Sequence, residues 1–209
     1  MADSIRVRAW GALALAVGLG SLAFAQGPAF DCSKAQGEVE TLICKDPALA
    51  ALDRTLDDVY QAAVKKARGP AVTMMRAEQR GFISGRNECW KARGAPTSLT
   101  ATWLATSVQE CVAGNYKIRI SDLQAQWQLV PAKAPVTYTC GTSANTLTAS
   151  FFETDPATVR ITRGGKTQTL WQVRSASGAR YEGQNVEFWS KGTEAMVTWL
   201  DAKLQCRTR

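Results

Sequence analysis

The chain has 209 residues, a net charge of +7, six cysteines and no histidine. Without histidine neither a Ser-His-Asp nor a Cys-His nucleophile can be assembled, and with no Cys-x-x-Cys pair no metal site is expected. The acidic residues are scattered outside any carboxylate-pair motif and the basic ones form no dense stripe, so the sequence points away from an enzyme, from a cofactor and from nucleic acid.

Arg6 and Arg8 open a short basic start, an apolar run follows from Trp10, and Ala23-Phe24-Ala25 offers the small-x-small pattern of a signal-peptidase site. Residues 1–25 are therefore expected to be a signal peptide cleaved near Ala25, delivering a periplasmic or secreted protein that starts at Gln26. The apolar run is too short to stay as a membrane span, and no later stretch is apolar enough for an integral membrane segment. Asp31 precedes Cys32 and does not suit lipid attachment there, so a lipoprotein anchored at Cys32 is not expected. Export implies an oxidising compartment, and the even set Cys32, Cys44, Cys89, Cys111, Cys140 and Cys206 reads as disulfides.

The first part of the mature chain has helical periodicity. A short helix is expected around Val39–Cys44. Asp46-Pro47 is a helix start, with Asp46 as N-cap and Pro47 in the first turn. Leu49, Leu52, Leu56, Val59, Tyr60, Ala63 and Val64 then share one face. A second long helix is expected from about Val72 to Trp90, a break at 93–96, and a third from about Leu99 to Gln128, with Val112, Tyr116, Ile120, Leu123 and Trp127 as its stripe. This gives a small helical bundle over residues 26–130 with four cysteines, for which the three possible pairings stay open.

The period changes after Pro131-Ala-Lys-Ala-Pro135, a natural linker. Strands are expected at 136–140, 146–152, 158–162 and 167–173, with turns at Asp155-Pro156 and Gly164-Gly165. A Ser/Gly/Ala loop follows, and 185–189, 195–200 and 203–207 complete an antiparallel series. The fold class is thus α+β in two domains, a disulfide-bonded helical bundle and, over 136–209, a small antiparallel β-barrel. Cys140 lies in the first strand and Cys206 in the last, so they are the expected pair; the bridge closes a loop worth about 4 kcal/mol in the chain-entropy model.

Three pieces of this second part carry a family resemblance: Tyr138-Thr139-Cys140, Ser175-Ala176-Ser177-Gly178-Ala179-Arg180-Tyr181, and Phe188-Trp189-Ser190-Lys191-Gly192-Thr193-Glu194-Ala195, followed by Cys206. Together they resemble the MliC/PliC family of c-type lysozyme inhibitors. The resemblance implies a compact barrel that enters the cleft of a c-type lysozyme with a serine loop and a lysine loop, here Ser177 and Lys191. Lysozyme works with one protonated and one ionised carboxyl group. A lysine ammonium meets the anion in a partly desolvated site, and a serine hydroxyl can both donate and accept. Gly178 and Gly192 flank the two residues and permit tight turns, Arg180 either braces the loop or touches the partner, and Tyr181, Phe188 and Trp189 either pack beneath the loops or add contact area. The helical part resembles the LprI-like cysteine-bearing domain through Phe30-Asp31-Cys32, Ile43-Cys44, Leu49 to Asp53, Glu78 to Phe82, Arg86 to Cys89 and Cys111 to Ile120.

Taken singly, Ser177 is an ordinary loop serine and Lys191 a solvated turn lysine. The rival reading is an envelope binding module for a small ligand or peptidoglycan, which asks for a cavity in the barrel and makes no demand on either residue.

Overall fold

The computed structural model describes residues 27–92, 107–142 and 144–208. The expected signal segment, the break at 93–96 and the start of the third long helix near Leu99 lie outside those residues.

Among the described residues four α-helices precede the sheet: α1 (Gly37–Lys45), α2 (Pro47–Lys66), α3 (Pro70–Asn87) and α4 (Val108–Gln126). Asp46 caps α2 by accepting from the amides of Ala48 at 2.8 Å and Leu49 at 3.1 Å, so the first turn keeps its orphan donors satisfied. α3 begins at Pro70, two residues before the expected Val72, because a proline costs nothing at a position whose N–H has no partner. It gives way at Glu88 to a 3-10 turn, Glu88–Ala92, that carries Cys89 and Trp90. α4 ends at Gln126 rather than Gln128, since Gln128 takes a φ of +48° and turns the chain, and Lys66 Nζ donates to the Trp127 and Gln128 carbonyls there.

The bundle closes over Ile43, Leu49, Leu56, Ala63, Met75, Val112, Tyr116 and Leu123. The disulfides Cys32–Cys44 and Cys89–Cys111 tie its first turn to α1 and the 3-10 turn to the start of α4. A polar network centred on Arg86 penetrates this core. Arg86, 4% exposed, donates to Tyr116 Oη at 2.6 Å and lies 3.6 Å from Asp53 and 3.5 Å from Glu40. Tyr116 in turn donates to Asp53 at 2.7 Å, and the Ala29 amide donates to the other oxygen of the same carboxylate at 2.8 Å. Burial pushes the Tyr116 phenol far above its ordinary range.

The second part is a closed antiparallel barrel of eight strands in sequence order: β1 (Val136–Cys140), β2 (Thr146–Phe152), β3 (Thr158–Arg163), β4 (Lys166–Val173), β5 (Ala179–Gly183), β6 (Val186–Lys191), β7 (Glu194–Trp199) and β8 (Ala202–Thr208). Seven were expected; β5 is the addition. Tyr138, Leu147, Val159, Ile161, Leu170, Tyr181, Phe188 and Val197 fill the interior. Phe188 meets Tyr138, Phe151 and Tyr181 at ring separations of 5.6 to 6.2 Å in tilted or edge-on geometry. β1 and β8 close the barrel, and there Cys140 pairs with Cys206 both in register and as a disulfide with a Cα separation of 4.0 Å. Among the barrel's aromatics Phe188 and Trp199 are buried, whereas Trp171 is half-buried.

The two parts are packed together. Ser121 and Ala125 of α4 are fully buried on the face opposite its bundle-facing stripe, and that face lies against β3 and β4. Arg160 of β3 donates to the Gln126 carbonyl at 3.3 Å, and Lys117 pairs with Asp155 at 3.0 Å. The segment 131–135 is exposed, yet Ala132 bridges to Phe152, the Lys133 amide donates to the Phe151 carbonyl at 2.8 Å, and Lys133 pairs with Glu153. A chain held this way connects the parts without leaving them loose.

Candidate functional site

Strand direction decides which loops meet. β1 enters the barrel at the end where β2 leaves, and the alternation places the 153–157, 174–178 and 192–193 loops together at that same rim, with the end of β8. The Ser177 loop and the Lys191 turn are therefore neighbours, although 14 positions separate the two residues. Lys191 Nζ stands 3.5 Å from Ser177 Oγ, and both side chains are exposed.

Three contacts hold the serine loop. Ser175 Oγ donates to the Ser177 carbonyl at 2.7 Å, closing a turn across one residue. Trp189, on β6 two residues before Lys191, donates its indole N–H to the same carbonyl at 2.9 Å and approaches Ser175 Oγ at 3.3 Å. One aromatic side chain thus ties the strand that carries the lysine to the loop that carries the serine. Gly178 is the third constraint. Its φ is +69°, and a Cβ there would overlap the Ser190 carbonyl and press on Lys191 Cβ at 3.2 Å. Only glycine lets the loop lie this close to the β6 backbone.

The lysine turn is built differently. Gly192 has a φ of +59°, but a Cβ would meet nothing within 4 Å, so glycine answers there to backbone conformation alone. The Thr208 amide donates to the Thr193 carbonyl at 2.9 Å and pins the turn to β8. Glu194, opposite Lys191 in the β6–β7 register, is engaged by Arg207 at 2.7 Å.

Arg180 projects beside this rim but is occupied within the barrel wall, pairing with Glu182 at 2.8 Å and Glu187 at 2.9 Å. Tyr181 is 7% exposed and lies in the interior against Phe151 and Phe188, packing beneath the loops. Burial raises its phenol above the ordinary value, so it stays neutral at physiological pH. The structure thus brings Ser177, Gly178, Lys191 and Gly192 to one exposed rim and sets Arg180 and Tyr181 back from it. Sequence reasoning had not identified Ser175 or the tethering role of the Trp189 indole. The only signal was their place within the motif segments.

Among the described residues no three His, Cys, Asp or Glu side chains come together as a metal-binding group, and no helix is long and apolar enough to cross a membrane. A groove of about 560 Å³ runs along the bundle between Phe30, Tyr60, Phe82 and the Asp53–Arg86 network.

Comparison with known proteins follows the same division. Residues 138–205 match the family model described as membrane-bound lysozyme-inhibitor of c-type lysozyme, and residues 32–123 match the one described as lysozyme inhibitor LprI. The chain is 29% identical over 183 residues to the lipoprotein LprI of Mycobacterium bovis, and equally to that of Mycobacterium tuberculosis, covering 87% of this chain and 85% of the relative. A shorter match, 51% identical over 39 residues, or 19% of this chain and 33% of the relative, is to the membrane-bound lysozyme inhibitor of C-type lysozyme of Yersinia enterocolitica. The chain is thus similar to two lysozyme-inhibitor families in tandem, to LprI over its helical part and to MliC over its barrel.

Proposed function

We propose that this protein inhibits a c-type lysozyme, without turnover or cofactor, by seating the rim that carries Ser177 and Lys191 in the enzyme's active-site cleft. The observation that carries the reading is the juxtaposition itself: an exposed ammonium 3.5 Å from an exposed hydroxyl, on loops tied by the Trp189 indole. An ammonium with no carboxylate among the described residues in salt-bridge contact can be spent on a partner's carboxylate, where a partly desolvated charge-assisted bond is strong. Both family matches support a lysozyme as the partner, and the one over the barrel supports the c-type enzyme.

In this reading residues 1–25 are an export signal, 26–130 the helical domain, 131–135 the connection and 136–209 the inhibitory domain. The Cys32–Cys44 disulfide supports a protein without a lipid at Cys32, because that sulfur is already bonded. The rival ligand-binding reading requires a cavity inside the barrel, and that interior is occupied by the rings of Tyr138, Tyr181 and Phe188.

The test is lysis of peptidoglycan-walled cells by a c-type lysozyme with increasing amounts of the oxidised protein. Dose-dependent protection is expected, and Lys191→Ala should weaken it by about 2–5 kcal/mol because the enzyme's carboxylate is left unpaired. Ser177→Ala should cost about 1 kcal/mol, the worth of one neutral hydrogen bond. No protection at large molar excess refutes inhibition of that enzyme, and full protection by Lys191→Ala refutes the assignment of the loop.

A further inference from the structure

α4 does not end level with the rim. Lys117 reaches Asp155 in the loop between β2 and β3, at the rim, whereas the Gln126 carbonyl meets Arg160 in the middle of β3. The helix therefore runs beside β3 away from the rim, and its earlier residues, Val108–Tyr116, add roughly 13 Å of helix at 1.5 Å per residue on the rim side of the Lys117 contact. α4 packs on β3 and β4, and the Ser177 loop leaves directly from the end of β4. The overhanging turns consequently stand on the serine side of the site.

The rim alone is small. Eight strands about 4.8 Å apart, tilted by about 40°, enclose a backbone circle roughly 16 Å across. Side chains widen the end to about 25 Å, or about 500 Å². A stable interface of standard size takes about 800 Å² from each partner. A protein seated on Ser177 and Lys191 must spread beyond the rim, and next to the Ser177 loop the surface it meets is α4.

We propose that the amino-terminal turns of α4 form a second wall of the lysozyme-binding surface, so that the enzyme occupies the notch between the helical bundle and the barrel rim. This rests on the reading of the rim as the inhibitory site. The barrel-facing stripe of α4 runs through Gly114, Ile118, Ser121 and Ala125 at helical spacing, and Gly114 is its member beyond the rim. Among the described residues a Cβ at Gly114 would meet nothing within 4 Å, so that part of the wall is bare of side chain and open to an incoming surface.

The same openness supplies the probe. In the full-length oxidised protein, Gly114→Trp fills the notch without an internal clash. It should weaken lysozyme inhibition at least tenfold with thermal unfolding unchanged, while Gly81→Trp, on the outer face of α3 with equally open surroundings, should inhibit like wild type. On the wild-type protein, amide hydrogen exchange across residues 108–116 should slow when lysozyme is added, alongside the 174–178 and 192–193 loops. A folded Gly114→Trp protein that inhibits at wild-type level overturns the second wall. So does unchanged exchange at 108–116 in a complex that protects the two loops. In both cases the rim reading survives; inhibition indifferent to Lys191→Ala refutes the rim reading instead.

Discussion

Gly178 and Gly192 offer a matched pair of substitutions. Both lie in the left-handed region, at φ of +69° and +59°, and both flank a residue of the proposed site. Alanine at either position carries the left-handed penalty of roughly 1 kcal/mol. At Gly192 nothing more is added, because the new methyl meets open space. At Gly178 the methyl overlaps the carbonyl oxygen of Ser190, and the obstacle is backbone rather than the end of a flexible side chain. Ser190 is paired with Ala179 across the β5–β6 ladder, so relief requires the loop to lift and one or two ladder hydrogen bonds to lengthen. At about 1 kcal/mol each these bring the total to roughly 3 kcal/mol. The lifted loop also loses the Trp189 indole bond at the Ser177 carbonyl, separating the serine from the lysine. Urea unfolding under oxidising conditions measures the first effect, with unchanged slope expected for both variants. Lysozyme inhibition measures the second: Gly178→Ala should lose most of it and Gly192→Ala should retain most of it. Equal stability losses and equal inhibition by the two variants would refute the contact argument and leave only the shared backbone penalty.

Other consequences can be checked on the same protein. Arg86→Leu strands the carboxylates of Asp53 and Glu40 at a buried network and should cost about 3–5 kcal/mol in thermal or urea unfolding, without touching the barrel's disulfide. Replacing both Cys140 and Cys206 by Ser opens a loop with a sequence separation of 66 and should cost about 4 kcal/mol, against about 3 kcal/mol for the Cys32–Cys44 pair with its separation of 12. The Gln36 amide, then Asn87 and the Arg86 charge, hold the Glu40 carboxyl below its ordinary value of 4.5 in spite of partial burial. Its folded form therefore binds the proton less tightly than the unfolded chain, so its stabilisation is present above that value and is lost as pH falls through the folded one. Unfolding titrations of wild type and Glu40→Gln should accordingly converge under acid; a gap that stayed constant down to pH 2 would remove Glu40 from the acid response.

Most of the barrel was legible because its strands alternate and its turns are marked by Gly and Pro, and because first and last strands of a closed sheet must meet, which put Cys140 opposite Cys206. β5 was hidden for a physical reason. Ala179–Gly183 sends one residue, Tyr181, fully into the core, and it sits between Arg180 and Glu182, so charge masks the alternation. α4 concealed more. Its Val112, Tyr116, Ile120 and Leu123 stripe announced the bundle face, but its other buried face is made of Ser121 and Ala125, residues too small to register as hydrophobic pattern. The packing of the two parts was therefore unreadable. So was the Asp53–Arg86–Tyr116 network, although all three residues lie in the segments that resemble LprI. Their convergence is a property of how α2, α3 and α4 cross, and nothing in the spacing along the chain expresses it.

The distribution of charge around the rim gives the lysine its meaning. Glu194 stands opposite Lys191 in the β6–β7 register and Glu153 follows β2 at the same rim, and a lysine beside them would ordinarily be neutralised by the nearer. Here Arg207 engages Glu194 and Lys133 engages Glu153, while Arg180 holds Glu182 and Glu187 farther along β5 and β6, toward the opposite end of the barrel. A guanidinium outcompetes an ammonium for a carboxylate because its planar fork can bind it with less loss of freedom. Arg207 thus takes up the acid that Lys191 could have folded back upon, and the ammonium stays out on the rim next to the Ser177 hydroxyl. Exposed ion pairs of this kind add little to stability. In the proposed function the Arg207–Glu194 pair contributes by position: it occupies the acid opposite Lys191, so that the ammonium is available to an anion brought by another molecule.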